Sequence, residues 1–357
     1  MNVNDLVASR YRIIAHVGRG GMQDVYSARD LLLETDVALK TPQAGQAARR
    51  FKQSAILAAR VNHYNVAKTL DYVEENASVY LIEEFVPGET LEEKMNRYGL
   101  LDPYLGALVL HHLSKGIAAS HHAGVIHRDL KPSNVMTEAG VNIRTLKITD
   151  FGIATLTDEL MEEAAQDGNL TLSTSGTIKG ALPYMAPEMM FRQPGDHPGP
   201  PTDIWSLGAM MFRLLTGDYP FGVFLQAAVN VQNRTRKAWP SFMTSKAQFR
   251  PLAQELQAIV EACLSYDPND RPTADRLVEM CGQLCYSTAE RLNGTVTGLI
   301  QNGYSGFLTT SSGSLFFSMD SVYGPKRPDQ ADNKKVSVAR YPGSPNARAH
   351  PVIVIAG

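Results

Sequence analysis

The sequence predicts an α+β chain in three parts: a strand-rich lobe, a helix-rich lobe and, at the end, a small all-β barrel. Three observations carry this. Up to about residue 86, β-branched and aromatic runs broken by turn residues enclose one stretch of helical spacing. From about residue 87 to 286 apolar residues recur at helical intervals, as at Leu105, Leu108, Val109, Leu113 and Ile117. After Arg291 helix formers thin out, and Gly, Ser, Thr, Val and aromatic residues alternate. The 357 residues suffice for two or three compact units, and 44% apolar with 20% charged residues is an ordinary folding composition. A formal charge of −2 argues against polyanion binding by the whole chain. The most apolar stretch, residues 204–215, is interrupted by Arg213 and falls short of the roughly 20 residues of a membrane span. With no basic-then-apolar opening segment either, a cytoplasmic protein with no membrane partner is expected. Cys263, Cys281 and Cys285 have neither disulfide-framework nor zinc-finger spacing and read as core thiols.

The chemistry gathers in one run. In His127-Arg128-Asp129-Leu130-Lys131-Pro132-Ser133-Asn134 a carboxylate sits just ahead of an ammonium and an amide, and a second carboxylate follows in Asp150-Phe151-Gly152. A phosphoryl group in flight spreads negative charge over its oxygens, so a transferring site must hold divalent metal, supply a cation and orient the attacking hydroxyl. Asp129 can orient the hydroxyl, Lys131 can neutralise the moving group, and Asn134 with Asp150 offers the oxygens that suit Mg²⁺. Through these residues the chain resembles a protein kinase of the Ser/Thr type, whose variant the Lys131-Pro132 pair is. The likeness covers about residues 11–286. It implies a bilobal kinase fold over residues 1–286, ATP and Mg²⁺ as cofactors, and a protein substrate presenting Ser or Thr.

Along the chain, residues 11–17 are extended, Gly18-Arg19-Gly20-Gly21 interrupts them, and Val25-Tyr26 resumes a strand. This reads as a hairpin whose glycines let backbone N–H groups approach phosphates. By the resemblance the nucleotide loop comprises Gly18, Gly20, Gly21 and Val25, and Gln23 replaces its third glycine, implying a bulkier tip. Val37-Ala38-Leu39-Lys40 matches the strand whose lysine meets the α- and β-phosphates, with Ala38 and Val25 lining the adenine pocket. A helix is expected over about residues 47–61; where relatives place the glutamate that pairs with that lysine stands Ser54. Strands over 67–73 and 78–85 lead to a hinge whose backbone at Glu84 and Val86 would meet adenine, with Met136 also among the nucleotide contacts. The gatekeeper position before this hinge, apolar in relatives, is Glu83. A lysine in a partly buried cleft needs an anionic partner, so Glu83 is expected to take over from the missing helix glutamate.

From Leu91 a helical character runs up to the catalytic stretch. His111, His112, His121 and His122 lie along it without converging carboxylates, so no metal is expected there. Beyond Gly152, Thr171, Ser173, Thr174, Ser175 and Thr177 are candidate phosphorylation sites whose phosphate Arg128 would bind. Residues 180–188 resemble the close of the activation segment, with Ala181 replacing its threonine. Asp203-Ile204-Trp205 opens the central buried helix, and Glu188 is expected to pair with Arg271.

In the tail, strands over 294–300, 303–308, 314–318, 335–339 and 351–355 suggest an OB-type barrel spanning residues 291–357. Gly294-Thr295-Val296, Gly303-Tyr304, Gly306-Phe307-Leu308 and Leu315-Phe316-Phe317 are similar to a cold-shock domain. That likeness puts Tyr304, Phe307 and Phe316 at base-stacking positions, while Gly298 stands for the first-strand tryptophan, Ser318 for a histidine, and Ser305 is an extra residue. Seven cations against three acids after Glu290 leave this segment at +4, which suits single-stranded nucleic acid, with protein docking as the alternative. The resulting expectation is a Ser/Thr kinase joined to a cold-shock-like barrel. Gln23, Ser54 and Ala181 leave open a nucleotide-binding scaffold, and the barrel an RNA-binding module regulated by the lobes before it.

Overall fold

The computed structural model describes residues 1–19, 23–43, 48–151, 180–193, 195–332 and 334–355. Its N-terminal lobe is a six-stranded sheet with one helix. The strands are β1 (Leu6–Val7), β2 (Tyr11–Arg19), β3 (Gln23–Asp30), β4 (Thr35–Pro42), β5 (Thr69–Glu75) and β6 (Ser78–Glu84), in the order β1-β2-β3-β4-β6-β5, with α1 (Ala48–Ala58) between β4 and β5. Side chains alternate across a strand, so β4 sends Val37 and Leu39 into a core with Tyr11, Ile13, Tyr26, Ala28 and Ile82. Ala38 and Lys40 take its other face. In the antiparallel register Ala38 lies opposite Glu83 and Lys40 opposite Leu81, which makes Glu83 the diagonal neighbour of Lys40 on that face.

The hinge passes through Gly88, whose φ of +137° and closeness to Thr137 O exclude any side chain. Then follow β7 (Glu89–Thr90), α2 (Leu91–Tyr98), α3 (Pro103–His122), β8 (Val135–Thr137) and β9 (Leu146–Ile148). The expected helical stretch from Leu91 is therefore two helices. Thr90 and Glu93 form a capping box at the start of α2, and α3 starts where the Asp102 carboxylate accepts the N–H groups of Tyr104 and Leu105 ahead of Pro103. The rest of this lobe comprises α4 (Pro187–Met190), α5 (Pro201–Thr216), α6 (Phe224–Gln232), α7 (Phe242–Ser245), α8 (Arg250–Cys263) and α9 (Ala274–Gly282). Every residue of α5 from Thr202 to Thr216 is buried, which makes it the axis of the lobe. Among the described residues no helix is long and apolar enough to cross a membrane.

The tail forms a closed barrel of β10 (Arg291–Leu299), β11 (Ser305–Thr310), β12 (Gly313–Ser318), β13 (Lys335–Tyr341) and β14 (Arg348–Val354), in the order β10-β11-β12-β14-β13. β13 returns to pair with β10, and only the β12–β14 pairing is parallel. Val296, Leu308, Leu315, Phe317, Val336, Val338 and Val352 fill it. The barrel is packed into the helical lobe. Tyr323 and Ile353 are buried in the same apolar core as α3, α5 and α8. The Tyr323 ring meets Phe242 and Phe249 edge-on, and the His350 ring stacks on Phe249 with centroids 5.0 Å apart.

Candidate active site

Lys40 stands at the centre of a buried triad. Its ammonium lies 2.5 Å from Glu83 Oε2 and 2.8 Å from Asp150 Oδ1, with all three side chains largely buried. Burial opposes the charge on Lys40, but the carboxylates of Asp150 and Glu83 outweigh it and raise its pKa. Burial likewise works against Asp150, which Lys40 nonetheless holds below the ordinary carboxylate range. Glu83 goes the other way: burial lifts its pKa, Lys40 offsets part of the rise and Asp150 adds to it. One ammonium between two carboxylates leaves Glu83 as the member that first takes up a proton.

Gln23 was expected only to make the loop tip bulkier. Instead its Nε2 reaches across the cleft and donates to Asp150 Oδ1 at 2.6 Å. The signal, a long amide at a glycine's place, was visible in the sequence; its reach was not. Gly18 has open space around it, while Gly20 and Gly21 lie outside the described residues. Val25, Ala38, Val86 and Met136 are half-buried, as residues facing an open cleft are. The Glu84 N–H donates to Lys68 O at 2.8 Å, so the sheet already uses that hinge donor, and the Glu84 carboxylate accepts from Lys147.

The run from His127 to Asn134 is fixed from below by Asp203 on α5. Its buried carboxylate accepts the N–H groups of His127 (2.8 Å) and Arg128 (2.7 Å) and bonds His121 Nε2 at 2.9 Å. Arg128 and Asp150 both adopt left-handed backbone (φ +59° and +64°), a strained state that surrounding bonds must impose. The His127 ring packs against Phe151 with centroids 4.6 Å apart. The Asp129 carboxylate accepts from Lys131 Nζ at 3.0 and 2.8 Å and from Asn134 Nδ2 at 3.0 Å. Because Asn134 commits its amide nitrogen to Asp129, its Oδ1 faces the other way. Asn134 Oδ1 and the Asp150 carboxylate are hard oxygens of the kind Mg²⁺ takes, and the Asp150 oxygens already accept from Lys40, Gln23 and Thr149.

Glu188 and Arg271 form a two-pronged ion pair at 2.6 and 2.9 Å with the guanidinium fully buried. Ala181 is buried; Thr171, Ser173, Thr174, Ser175 and Thr177 lie outside the described residues, as does the side chain of Ser54. The four histidines of α3 go to four separate partners: Tyr286, Asn65, Asp203 and Asp275. On the barrel, Phe307 and Phe316 face each other across β11 and β12 with centroids 5.6 Å apart, and the Arg348 guanidinium lies 4.6 Å over Phe316. Tyr304 is half-exposed and borders a different groove, with Lys246, Lys326 and Arg327. At Gly298 the Gln330 side chain bonds Thr297 O, and its amide nitrogen lies 3.3 Å from where a Cβ would stand.

A strand lysine held over an aspartate, with an asparagine and a second aspartate on a loop braced by the central helix, defines a two-lobed fold of the protein kinase kind. The family model described as protein kinase domain matches residues 11–281, and the chain belongs to that family. It is 30% identical over 76% of its length to the serine/threonine-protein kinase pkn3 of Myxococcus xanthus, of which it spans 49%. Against PrkC of Bacillus subtilis it is 32% identical over 62% of its length, and against PknB of Mycobacterium tuberculosis 31% over 74%. Of those two proteins it spans 32% and 41%, so it covers half or less of these relatives. A structure of Rad53 in complex with AMP-PNP superposes with a TM-score of 0.58 at 24% identity, covering 76% of this chain and 64% of that one, a likeness of fold.

Proposed function

We propose that the chain is a Ser/Thr protein kinase that uses ATP with Mg²⁺ and phosphorylates protein hydroxyls. The observation that supports this reading is two bonded groups, Lys40 with Asp150 and Asp129 with Lys131 and Asn134, linked through the Thr149 N–H on Asn134 O one residue before Asp150. Lys40 would hold the nucleotide phosphates. Asp129 would orient the acceptor hydroxyl and take its proton, while Lys131, already on Asp129, would neutralise the transferring group. Bound Mg²⁺ would supply charge stabilisation at the phosphates, and Asn134 and Asp150 are the residues that would hold it. Transfer of label from γ-labelled ATP to the chain itself and to a protein acceptor tests this. Asp129→Asn should lower transfer by about 10²–10⁴-fold. Nucleotide binding with equal, negligible transfer in wild type and variant would leave the scaffold reading.

For the barrel, the strand order and the one parallel pairing support an OB-type fold, and the Phe307–Phe316 pair under Arg348 supports binding of single-stranded nucleic acid. Tyr304 would not share that platform. Fluorescence anisotropy of the full chain with single-stranded oligonucleotides should show affinity that falls with salt and weakens by about 1–3 kcal/mol in Phe316→Ala. Equal affinity in wild type and variant would make these rings packing alone.

A further inference from the structure

We propose that Arg291 and Asn142 are a positioning pair through which the barrel sets the spacing of Asn134 and Asp150, an inference that rests on the metal-binding role given to those two residues. β8 and β9 form a hairpin with Val135 opposite Ile148 and Thr137 opposite Leu146. Asn134 stands immediately before it and Asp150 two residues after it, and the Thr149 N–H donates to Asn134 O at 2.9 Å. The open end of this hairpin therefore carries both residues. Its closed end, residues 138–145, is gripped from outside.

Two groups of the helical lobe supply part of the grip. The buried Lys94 ammonium of α2 donates to Glu138 O (2.9 Å), Gly140 O and Asn142 O (3.1 Å), and the Glu89 carboxylate accepts the Gly140 N–H at 3.1 Å. The third grip comes from the barrel. Asn142 Nδ2 donates to Arg291 O at 3.0 Å, and the Arg291 N–H donates to Asn142 Oδ1 at 2.8 Å, so one side-chain amide takes both backbone groups of the first barrel residue. Arg291 cannot drift, because its buried guanidinium Nη2 lies 3.0 and 2.8 Å from the two Asp102 oxygens.

Asp102 in turn caps α3, whose far end delivers His121 to Asp203, the residue that holds His127 and Arg128. One residue thus touches both the hairpin and the helix that frame the catalytic loop. Arg291 Nε and Nη1 are buried without hydrogen-bond partners among the described residues. Such burial is costly, so what Arg291 contributes is placement more than stability. Each strand of the hairpin has three residues, too few to absorb a shift at the closed end before it reaches the open one.

Asn142→Ala in the full chain removes both bonds to Arg291 and leaves the Arg291–Asp102 pair. Two measurements then apply. Hydrogen exchange without nucleotide should quicken about 3- to 10-fold at the amides of residues 146–149, the range expected for losing bonds of this kind. Binding of a fluorescent ATP analogue should need several-fold more Mg²⁺ for half-saturation, with unchanged affinity once Mg²⁺ saturates. A variant with wild-type exchange, or with faster exchange and a wild-type Mg²⁺ requirement, overturns the proposal. Analogue binding in the wild type that ignores both Mg²⁺ and Asp150→Ala would sink the metal-binding role itself and the proposal with it, a result distinct from the other two.

Discussion

Glu83 answers a deficit created on another element. Ser54 carries no charge, yet Lys40 is buried and, in the phosphate-binding role proposed for it, must stay an ammonium, and an unpaired buried ammonium tends to neutralise. Glu83 sits diagonally across the sheet from Lys40 and reaches it at 2.5 Å. A carboxylate at the gatekeeper would be costly alone; beside Lys40 the two costs offset. Gln23 works at the same triad from the opposite side, holding Asp150 where Lys40 also holds it. Losing a charge-assisted hydrogen bond costs about 1.5–3 kcal/mol, so Glu83→Met should weaken ATP binding or slow phosphoryl transfer by about 10-fold or more. Calorimetry with ATP and a transfer assay decide it. Wild-type values for both would mean that Asp150 alone suffices and that Glu83 is a tolerated oddity.

At the scale of elements, what could be read in the sequence was what repeats or what begins and ends locally. The match of Val37-Ala38-Leu39-Lys40 to the kinase lysine strand gave β4, and the spacing of Leu105, Val109 and Leu113 gave α3. The five barrel strands lie within a few residues of their expected places because turns punctuate them. Boundaries were less legible: the helix expected over 47–61 ends as α1 at Ala58, and Gly99, with φ +80°, separates α2 from α3. At the site, Lys40 and Asp150 stand in short motifs, whereas Glu83 was expected beside Lys40 because a buried ammonium needs an anionic partner and Ser54 has no charge. Gln23 on Asp150 and Arg291 on Asp102 join residues 127 and 189 positions apart, and such pairings leave no periodic trace. Tyr323 is the plainest case. It lies between β12 and β13, where a lone aromatic reads as loop, yet it is buried in the helical lobe.

For the whole molecule, the boundary near residue 290 separates two topologies, each with a core of its own, yet Tyr323 and Ile353 of the tail are buried in the core of the helical lobe. The connection is bonded on both sides: Ser287 Oγ to Tyr341 OH at 2.7 Å, and Glu290 to Arg144 at 2.7 Å. Undocking the barrel would expose Tyr323 and Ile353, where burying a large apolar side chain contributes about 1.5–3 kcal/mol each, while the buried Arg291–Asp102 pair adds little net because both charges would regain water. That sum reaches only the lower end of the total stability of a typical domain, about 5–15 kcal/mol, but it is enough to tie the barrel to the lobe, so the two should unfold together. The two tryptophans, Trp205 and Trp239, both lie in the helical lobe, so their fluorescence reports that lobe alone. Hydrogen exchange at Leu308, Leu315 and Val338 reports the barrel core. In a urea series on the full chain the two probes should share one midpoint, and Arg291→Met should move both midpoints down together. A barrel that keeps its protection after the tryptophan transition is complete, or an Arg291→Met shift confined to one probe, would establish two independent domains.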